Sequence, residues 1–235
     1  MKAMLPNPLL DQARLQNSVF DHFNYFASGH QWTDTSGDTG ASVAGSDARG
    51  GVAVITTGAT DNNEAYLLST QEIFLISASK PIYAEAAVQF TEANTDDANV
   101  MFGLMNAVGA NSIVDDGAGP KASFSGAVIY KVDGGTTWKF TTSIGTTNTT
   151  SATNTTAGGS AYQRLAISIE PISSTVALAI PFVDGQQLID TSGNLIAHQI
   201  TFASATEMNL FVGAKAGGAN SEVVNVDWLG GVQKV

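Results

Sequence analysis

Paired carboxylates are the residues whose type and spacing come closest to a binding chemistry in this sequence. Two acidic pairs stand in loop-like segments: Asp96 and Asp97 in ANTDDAN, and Asp115 and Asp116 in IVDDGAGPK. Oxygen-rich loops of this kind can bind calcium, although adjacent acids in loops are more often solvated turn residues. The sequence leaves calcium binding at either pair open, and we assign no metal ligand.

Acid catalysis of sugar hydrolysis would need a second pattern, two carboxylates that approach each other on one surface. Glu85 is a lone acid on its predicted strand, because Ala87 and Gln89 occupy the positions where a partner on the same face would stand. Glu92 comes at the end of that strand, beside a loop. We therefore predict no catalytic residue here and a protein that is not an enzyme.

The sequence also lacks the motifs for thiol, imidazole or serine catalysis. The chain has no cysteine, and its three histidines, His22, His30 and His198, have no short metal-ligand spacing. No serine lies in a nucleophile-elbow sequence, and the glycine-rich stretches lack the Lys-Ser/Thr ending of a phosphate loop. We predict structural histidines and no cofactor.

Aromatic side chains could stack on sugars. Trp138 follows a turn in GGTTWKF, so we name it as a possible exposed glycan contact, whereas we expect Trp228 in the core. Asp184 and Gly185 stand between two apolar stretches in PFVDGQQLI, a pattern typical of a two-residue type I′ hairpin. We therefore interpret Asp184 as a turn-forming residue without a catalytic role.

The charge balance excludes two classes of partner. The formal net charge is −11, with only 10 Lys and Arg among 235 residues and no basic cluster. Binding of phosphate groups needs clustered cations, so we expect neither nucleic acid nor a membrane as a partner.

Period-two alternation from about residue 50 onward predicts strands. In PIYAEAAVQF, the apolar residues Ile82, Ala84, Ala86, Val88 and Phe90 alternate with mostly polar ones. Many such short segments, separated by Gly, Asn, Asp and Ser, favour an all-β, two-sheet antiparallel sandwich or jelly roll. Residues 141–160, TTSIGTTNTTSATNTTAGGS, are expected to begin as a strand and continue as a mobile surface loop.

The first residues differ from the rest. Asn7 and Pro8 suit a helix start, so we interpret residues 1–20 as a short helical arm and divide the chain into an arm, 1–30, and a sandwich domain, 31–235. No apolar signal sequence is recognisable there, which predicts synthesis in a host cytoplasm without a cleaved leader. The predicted arm contacts are apolar: Leu5, Leu9, Leu10, Leu15, Val19 and Phe20.

The last seventy residues carry a family resemblance. The segments YQRLAISIEPISSTVALAIPFVDGQQLI, MNLFVGAKAGG and EVVNVDWLGGV resemble the closing strands of the concanavalin A-like (laminin G-like) jelly roll. The resemblance implies that fold for residues 30–235 and leaves function open, because the fold hosts lectins, hydrolases and structural modules. The arm, the acidic balance and the Ser/Thr/Gly-rich chain are similar in style to capsid decoration (cement) proteins of tailed bacteriophages.

From these features we expect a non-enzymatic virion structural protein on the capsid surface. Its partners would be the major capsid protein or other virion subunits, and it would form a homo-oligomer, with a trimer as one option. The alternative is a carbohydrate-binding module or receptor-binding adhesin on the same fold. A polysaccharide hydrolase or lyase comes third, since it lacks the paired carboxylates.

Overall fold

The structure, a computed structural model, describes residues 16–91 and 97–234. Within those ranges the chain forms strands and turns and no helix, so the all-β prediction is confirmed. No helix in these ranges is long and apolar enough to cross a membrane. The predicted arm contacts Leu5, Leu9, Leu10 and Leu15 lie outside the described residues, so their helical arm stays a prediction.

Two antiparallel sheets stack face to face. The first has the strand order β16-β15-β14-β7-β19-β4-β3, with β1 added to β19 and β17 to β15. Its strands are β1 (Gln16–Asp21), β3 (Ser42–Ser46), β4 (Val52–Thr56), β7 (Ile82–Phe90), β14 (Gln163–Pro171), β15 (Val176–Val183), β16 (Gln186–Gln187), β17 (His198–Thr201) and β19 (Val223–Lys234).

The second sheet has the order β13-β12-β11-β8-β18-β5-β2, with β6 paired to β18. Its strands are β2 (Trp32–Asp34), β5 (Glu64–Ser69), β6 (Phe74–Ile76), β8 (Ala98–Met105), β11 (Phe124–Lys131), β12 (Thr137–Gly145), β13 (Thr147–Thr156) and β18 (Thr206–Ala216). A small hairpin of β9 (Ile113–Val114) and β10 (Gly119–Pro120) lies in the connection between β8 and β11.

Alternating side chains from both sheets fill the space between them. On β7 the five predicted apolar positions are all buried in this main core, as a period of two requires. A second, smaller apolar cluster lies on the outer face of the second sheet and includes Tyr66, Met101, Val128 and Phe211. Strands β8 and β11 are therefore buried on both faces.

Two predictions about local structure are wrong. Residues 147–156 form β13, the outermost strand of the second sheet, and are not a mobile loop; threonine has a high strand propensity, and β12 pairs with them. Residues 16–21 form β1 on β19 and do not continue an arm. Val19 points into the main core at 7% exposure, so of the two predicted arm contacts that the structure describes, Phe20, at 55%, is the exposed one.

The Asp-Gly corner is the hairpin turn that the sequence predicts. Asp184 has φ 52° and Gly185 has φ 76°, so both central residues take the left-handed conformation of a type I′ turn. The Asp184 carboxylate also accepts a hydrogen bond from the Arg164 backbone N–H at 2.8 Å. Asp184 thus joins the turn to the neighbouring strand β14.

Candidate functional site

An open groove of aromatic side chains runs along the outer face of the first sheet, beside β1. We call it the aromatic groove and define it by Phe20, Tyr83, Glu85, Trp228 and Gly230. Phe20 lies directly opposite Gly230 in the β1–β19 pair, and Gly230 lies opposite Glu85 in the β19–β7 pair. Three neighbouring strands therefore build one surface.

Glycine 230 is what lets an aromatic ring lie across this surface. A Cβ at this position would stand 2.4 Å from a ring carbon of Phe20, so only glycine leaves room for the ring over the strand. The Phe20 ring in turn lies 6.0 Å from the Trp228 ring, centroid to centroid, with planes inclined at 32°. The two rings form a continuous apolar wall that remains open to solvent.

Trp228 faces outward because of a β-bulge, which corrects our prediction that it fills the core. Val224 and Val226 point into the core, so unbroken alternation would bury Trp228 as well. The β19–β7 register shifts between Val226 and Trp228, and this extra residue moves Trp228 to the outer face and buries Leu229 instead.

Polar groups line the other side of the groove. Burial and the neighbouring Glu85 carboxylate, to which its hydroxyl donates a hydrogen bond, raise the pKa of Tyr83 to about 12. Tyr83 therefore stays a neutral phenol at physiological pH. The groove can offer aromatic stacking surface, a hydroxyl and a carboxylate to a ligand, but Glu85 has no second carboxylate opposite it: its cross-strand neighbours are Gly230 and Ala166.

Trp138, our candidate glycan contact, is fully buried, so this prediction is wrong. It alternates with Phe140 on the inner face of β12, and its indole N–H donates to the Gln163 side-chain oxygen at 3.2 Å. Phe90 packs against the indole edge at 5.8 Å between ring centroids. The turn before Trp138 exposes the backbone there and leaves the side chain in the main core.

Over strands β5, β8, β11 and β18, the outer face of the second sheet is covered by the chain itself. Residues 106–123, which we call the strap, cross this face and bury the smaller apolar cluster. The Tyr66 ring lies over Gly213, where a Cβ would be 2.2 Å from a ring carbon, and its hydroxyl accepts a hydrogen bond from the Ile113 N–H of the strap at 3.0 Å.

A buried ionic cluster holds the strap in place. Lys215, at 1% exposure, donates to Glu64 at 3.3 Å, to the Asn111 side chain at 2.9 Å and to the Ile113 carbonyl at 3.1 Å. It also forms an ion pair with Asp115. Glu64 accepts hydrogen bonds from the Asn111 N–H and the Tyr66 hydroxyl, both at 2.6 Å.

This cluster also bears on the acidic pairs of the sequence. The Asp115 carboxylate is paired with Lys215, and Asp116 lies in a turn with φ 54°. In the other pair, Asp96 lies outside the described residues. Burial, and then the charge of Asp97, raise the pKa of Asp133 in the loop nearby. Within 16–91 and 97–234, no three His, Asp or Glu side chains converge on a possible metal position.

His198 lies between the sheets, as the structural interpretation of the histidines predicts. Its two ring nitrogens are within hydrogen-bond distance of the Thr142 hydroxyl, at 3.2 Å, and the Ser151 hydroxyl, at 2.9 Å. Burial lowers the pKa of His198 to about 4, so the ring is neutral at physiological pH. His22 packs edge-on against Phe20 at the end of the groove.

Comparisons with known proteins give the fold a name. No protein-family model matches the chain, and no curated protein does. Among solved structures, it is similar to an endo-β-1,4-glucuronan lyase from the fungus Trichoderma reesei, with a TM-score of 0.63 and 12% identity over 92% of this chain and 95% of that one.

Two further structures share the same architecture. An endo-1,3-β-glucanase from Streptomyces sioyaensis aligns with a TM-score of 0.59 and 15% identity over 99% of each chain. The carbohydrate recognition domain of Emp47p aligns with a TM-score of 0.59 and 13% identity over 95% of this chain and 99% of that one. The neighbours include enzymes and a carbohydrate recognition domain, so the likeness does not choose an activity. The chain has the concanavalin A-like, or lectin-like, jelly-roll fold.

Proposed function

We propose that this protein is a non-catalytic attachment module whose aromatic groove and N-terminal arm together bind a larger assembly. More specifically, we propose that it decorates the capsid surface of a tailed bacteriophage. The observation that carries it is the position of the groove: Gln16, where the first fifteen residues join the sandwich, lines the same groove as Phe20 and Trp228.

The arrangement suits adhesion more than turnover. Exposed aromatic residues are the side chains that contribute most to protein interfaces once they are desolvated. Phe20 and Trp228 supply such a surface, and the apolar residues predicted for the arm would extend it across a neighbouring subunit. The single carboxylate of the groove, Glu85, lacks the partner that glycoside hydrolysis uses.

The test is attachment to tailed-phage capsids that lack the protein. We compare the full chain with a form lacking residues 1–15, with a Phe20→Ala/Trp228→Ala variant, and with Ile172→Ala as a control. Ile172 is equally exposed, at 58%, but lies at the turn after β14, away from the groove. We expect the form lacking residues 1–15 and the double-alanine variant to occupy fewer capsid sites than the full chain. The Ile172→Ala control should bind as the full chain does. Full occupancy by the first two forms would contradict the proposal.

Carbohydrate binding is the second candidate, and the same groove favours it. Sugar rings stack on exposed aromatic faces, and the Tyr83 hydroxyl and Glu85 carboxylate could bind their hydroxyl groups. A glycan array with the full chain and Trp228→Ala distinguishes the two. Saturable glycan binding that the substitution removes, with no capsid attachment, would place this candidate first.

A further inference from the structure

Strand β13 is the longest exposed edge strand in the described sandwich, and its first six residues lie outside the β-bulge and the bridge that protect its far end. It spans ten residues, TNTTSATNTT, without a charge, a proline or a glycine. No charged residue occurs between Lys139 and Arg164 in a chain whose net charge is −11. Natural proteins usually shorten, charge or bend such strands, because an uncovered edge pairs with other chains.

The other edges of the two sheets are short. Strands β2, β3, β16 and β17 have three, five, two and four residues, and β1 has six. Among the described residues, one isolated bridge covers the outer edge of β13, from Asp190 to Thr153. Residues 147–152, which we call the free edge, lie before that bridge.

The turn between β12 and β13 determines which backbone groups are free. Ile144 pairs with Thr147 across a two-residue turn, and Gly145 has φ 63°, as the first position of a type II′ turn requires. The closing pair of such a hairpin is hydrogen-bonded, and bonded and non-bonded pairs alternate from there. The N–H and C=O groups of Asn148, Thr150 and Ala152 therefore point away from β12.

We propose that the free edge pairs with the free edge of a second copy, antiparallel and about a two-fold axis at Thr150, so that the two second sheets become one. An antiparallel strand is complementary to itself, and a two-fold axis is the symmetry that places the same segment on both sides of an interface. Each Thr150 N–H then donates to the Thr150 carbonyl of the partner, and residue 148 pairs with 152.

The contact is a weak one by its size. A five-residue strand pair buries less than the roughly 1,600 Å² of a standard interface, so we expect dissociation constants from about micromolar to millimolar. Pairing of this strength is effective where copies are held side by side on a surface. It does not depend on the aromatic groove, which lies on the other sheet.

Charge substitution at the two-fold axis tests the pairing. In sedimentation velocity from about 10 µM to 1 mM, we expect the full chain to form a dimer whose fraction rises with concentration. Thr150→Lys and Thr150→Glu each place two like charges opposite each other, so each should raise the dissociation constant at least tenfold. An equimolar mixture of the two variants should form the dimer again, as Lys faces Glu. Thr150→Pro, which removes the outward N–H, should abolish it.

Ser42→Lys is the matched control, because Ser42 is an exposed residue on the edge strand β3 of the other sheet. Thr150 shares a hydrogen bond with Thr141 at 2.7 Å, so thermal unfolding of each variant checks that the fold is kept. A full chain that stays monomeric over the whole range, or forms trimers, overturns the proposal. So does a Thr150 variant no weaker than Ser42→Lys, or a mixture without a dimer.

Discussion

The outer faces of the two sheets use the same device for different ends. On each, an aromatic ring lies over a glycine of the neighbouring strand: Phe20 over Gly230 on the first sheet, and Tyr66 over Gly213 on the second. The strap covers the second pair, whereas the first pair is open to solvent. Aromatic content alone therefore does not identify a binding surface.

A sheet face that is covered by a chain segment must supply hydrogen-bond partners for the backbone groups of that segment. The strap brings backbone groups over an apolar surface, where each needs a hydrogen-bond partner. Glu64, Tyr66 and Lys215 supply those partners. Among the described residues, the open face has no such cluster, and its groups can bind an external partner instead. Stability should therefore depend on the covered face and attachment on the open one.

The largest effect should come from breaking the ionic cluster. Lys215→Met leaves the Glu64 carboxylate buried without its cation, and breaking a buried ion pair from one side costs about 3–5 kcal/mol of unfolding free energy. Urea denaturation measures this loss. Lys234→Met is the control, since Lys234 is exposed at the end of β19. A loss below about 1 kcal/mol would mean that the cluster does not hold the strap.

Matched aromatic truncations on the two faces give the next effect. Phe211→Ala opens a cavity under the strap and should cost about 3–5 kcal/mol. Trp228→Ala removes a partly exposed ring and should cost less, about 1 kcal/mol, while it weakens partner attachment roughly tenfold or more. Denaturation and binding measured on both variants separate the two roles. Equal losses of stability would remove the distinction between the faces.

Low pH should cause a smaller loss of unfolding free energy through His198, which lies between the two sheets. The pKa of His198 is lowered in the fold to about 4, so the folded state prefers the neutral ring. This contribution is complete above the unfolded pKa of about 6.5 and is lost as pH falls from there towards 4, by about 1–2 kcal/mol. Denaturation at pH 7 and pH 4.5 should show it for the unmodified chain and less of it for His198→Gln. His30→Gln, at an exposed position, should keep the full difference.

The smallest effect concerns the Asp-Gly turn, which joins β15 to β16 and is bonded to β14 through the Asp184 carboxylate. Asp184→Ala loses the hydrogen bond from the Arg164 N–H and places alanine in a left-handed conformation. We expect a loss of about 1 kcal/mol in denaturation and unchanged attachment. Loss of attachment with this small change in stability would show that the turn, and not only the groove, contacts the partner.

The sequence predicted the parts of the fold that depend on local patterns. The alternation of apolar residues predicted which face of β7 is buried, and the Asp184-Gly185 pair predicted the turn. Two of the predicted strand segments carry a further signal. The nearly unbroken apolar runs NVMFGLM and FSGAVIYKV indicate strands buried on both faces, and these are β8 and β11 beneath the strap.

The candidate site was not predictable in the same way. The β-bulge beside Trp228 moves this side chain from the inner to the outer face of the sheet. No residue type near it in the sequence indicates the bulge. The predicted exposure of Trp138 is wrong because a turn before a strand does not determine which face of the sheet the next side chains occupy. The Lys215 cluster joins residues far apart in sequence, so no spacing rule could have assembled it.

Hydrogen exchange on the protein alone and bound to capsids tests the division between the faces most directly. We expect new protection in β1 and in the part of β19 around Trp228, with the strap unchanged between the free and the bound protein. Protection gained across the strap, with none in β1 and β19, would contradict it. In that case the covered face, and not the aromatic groove, would be the surface that binds the partner.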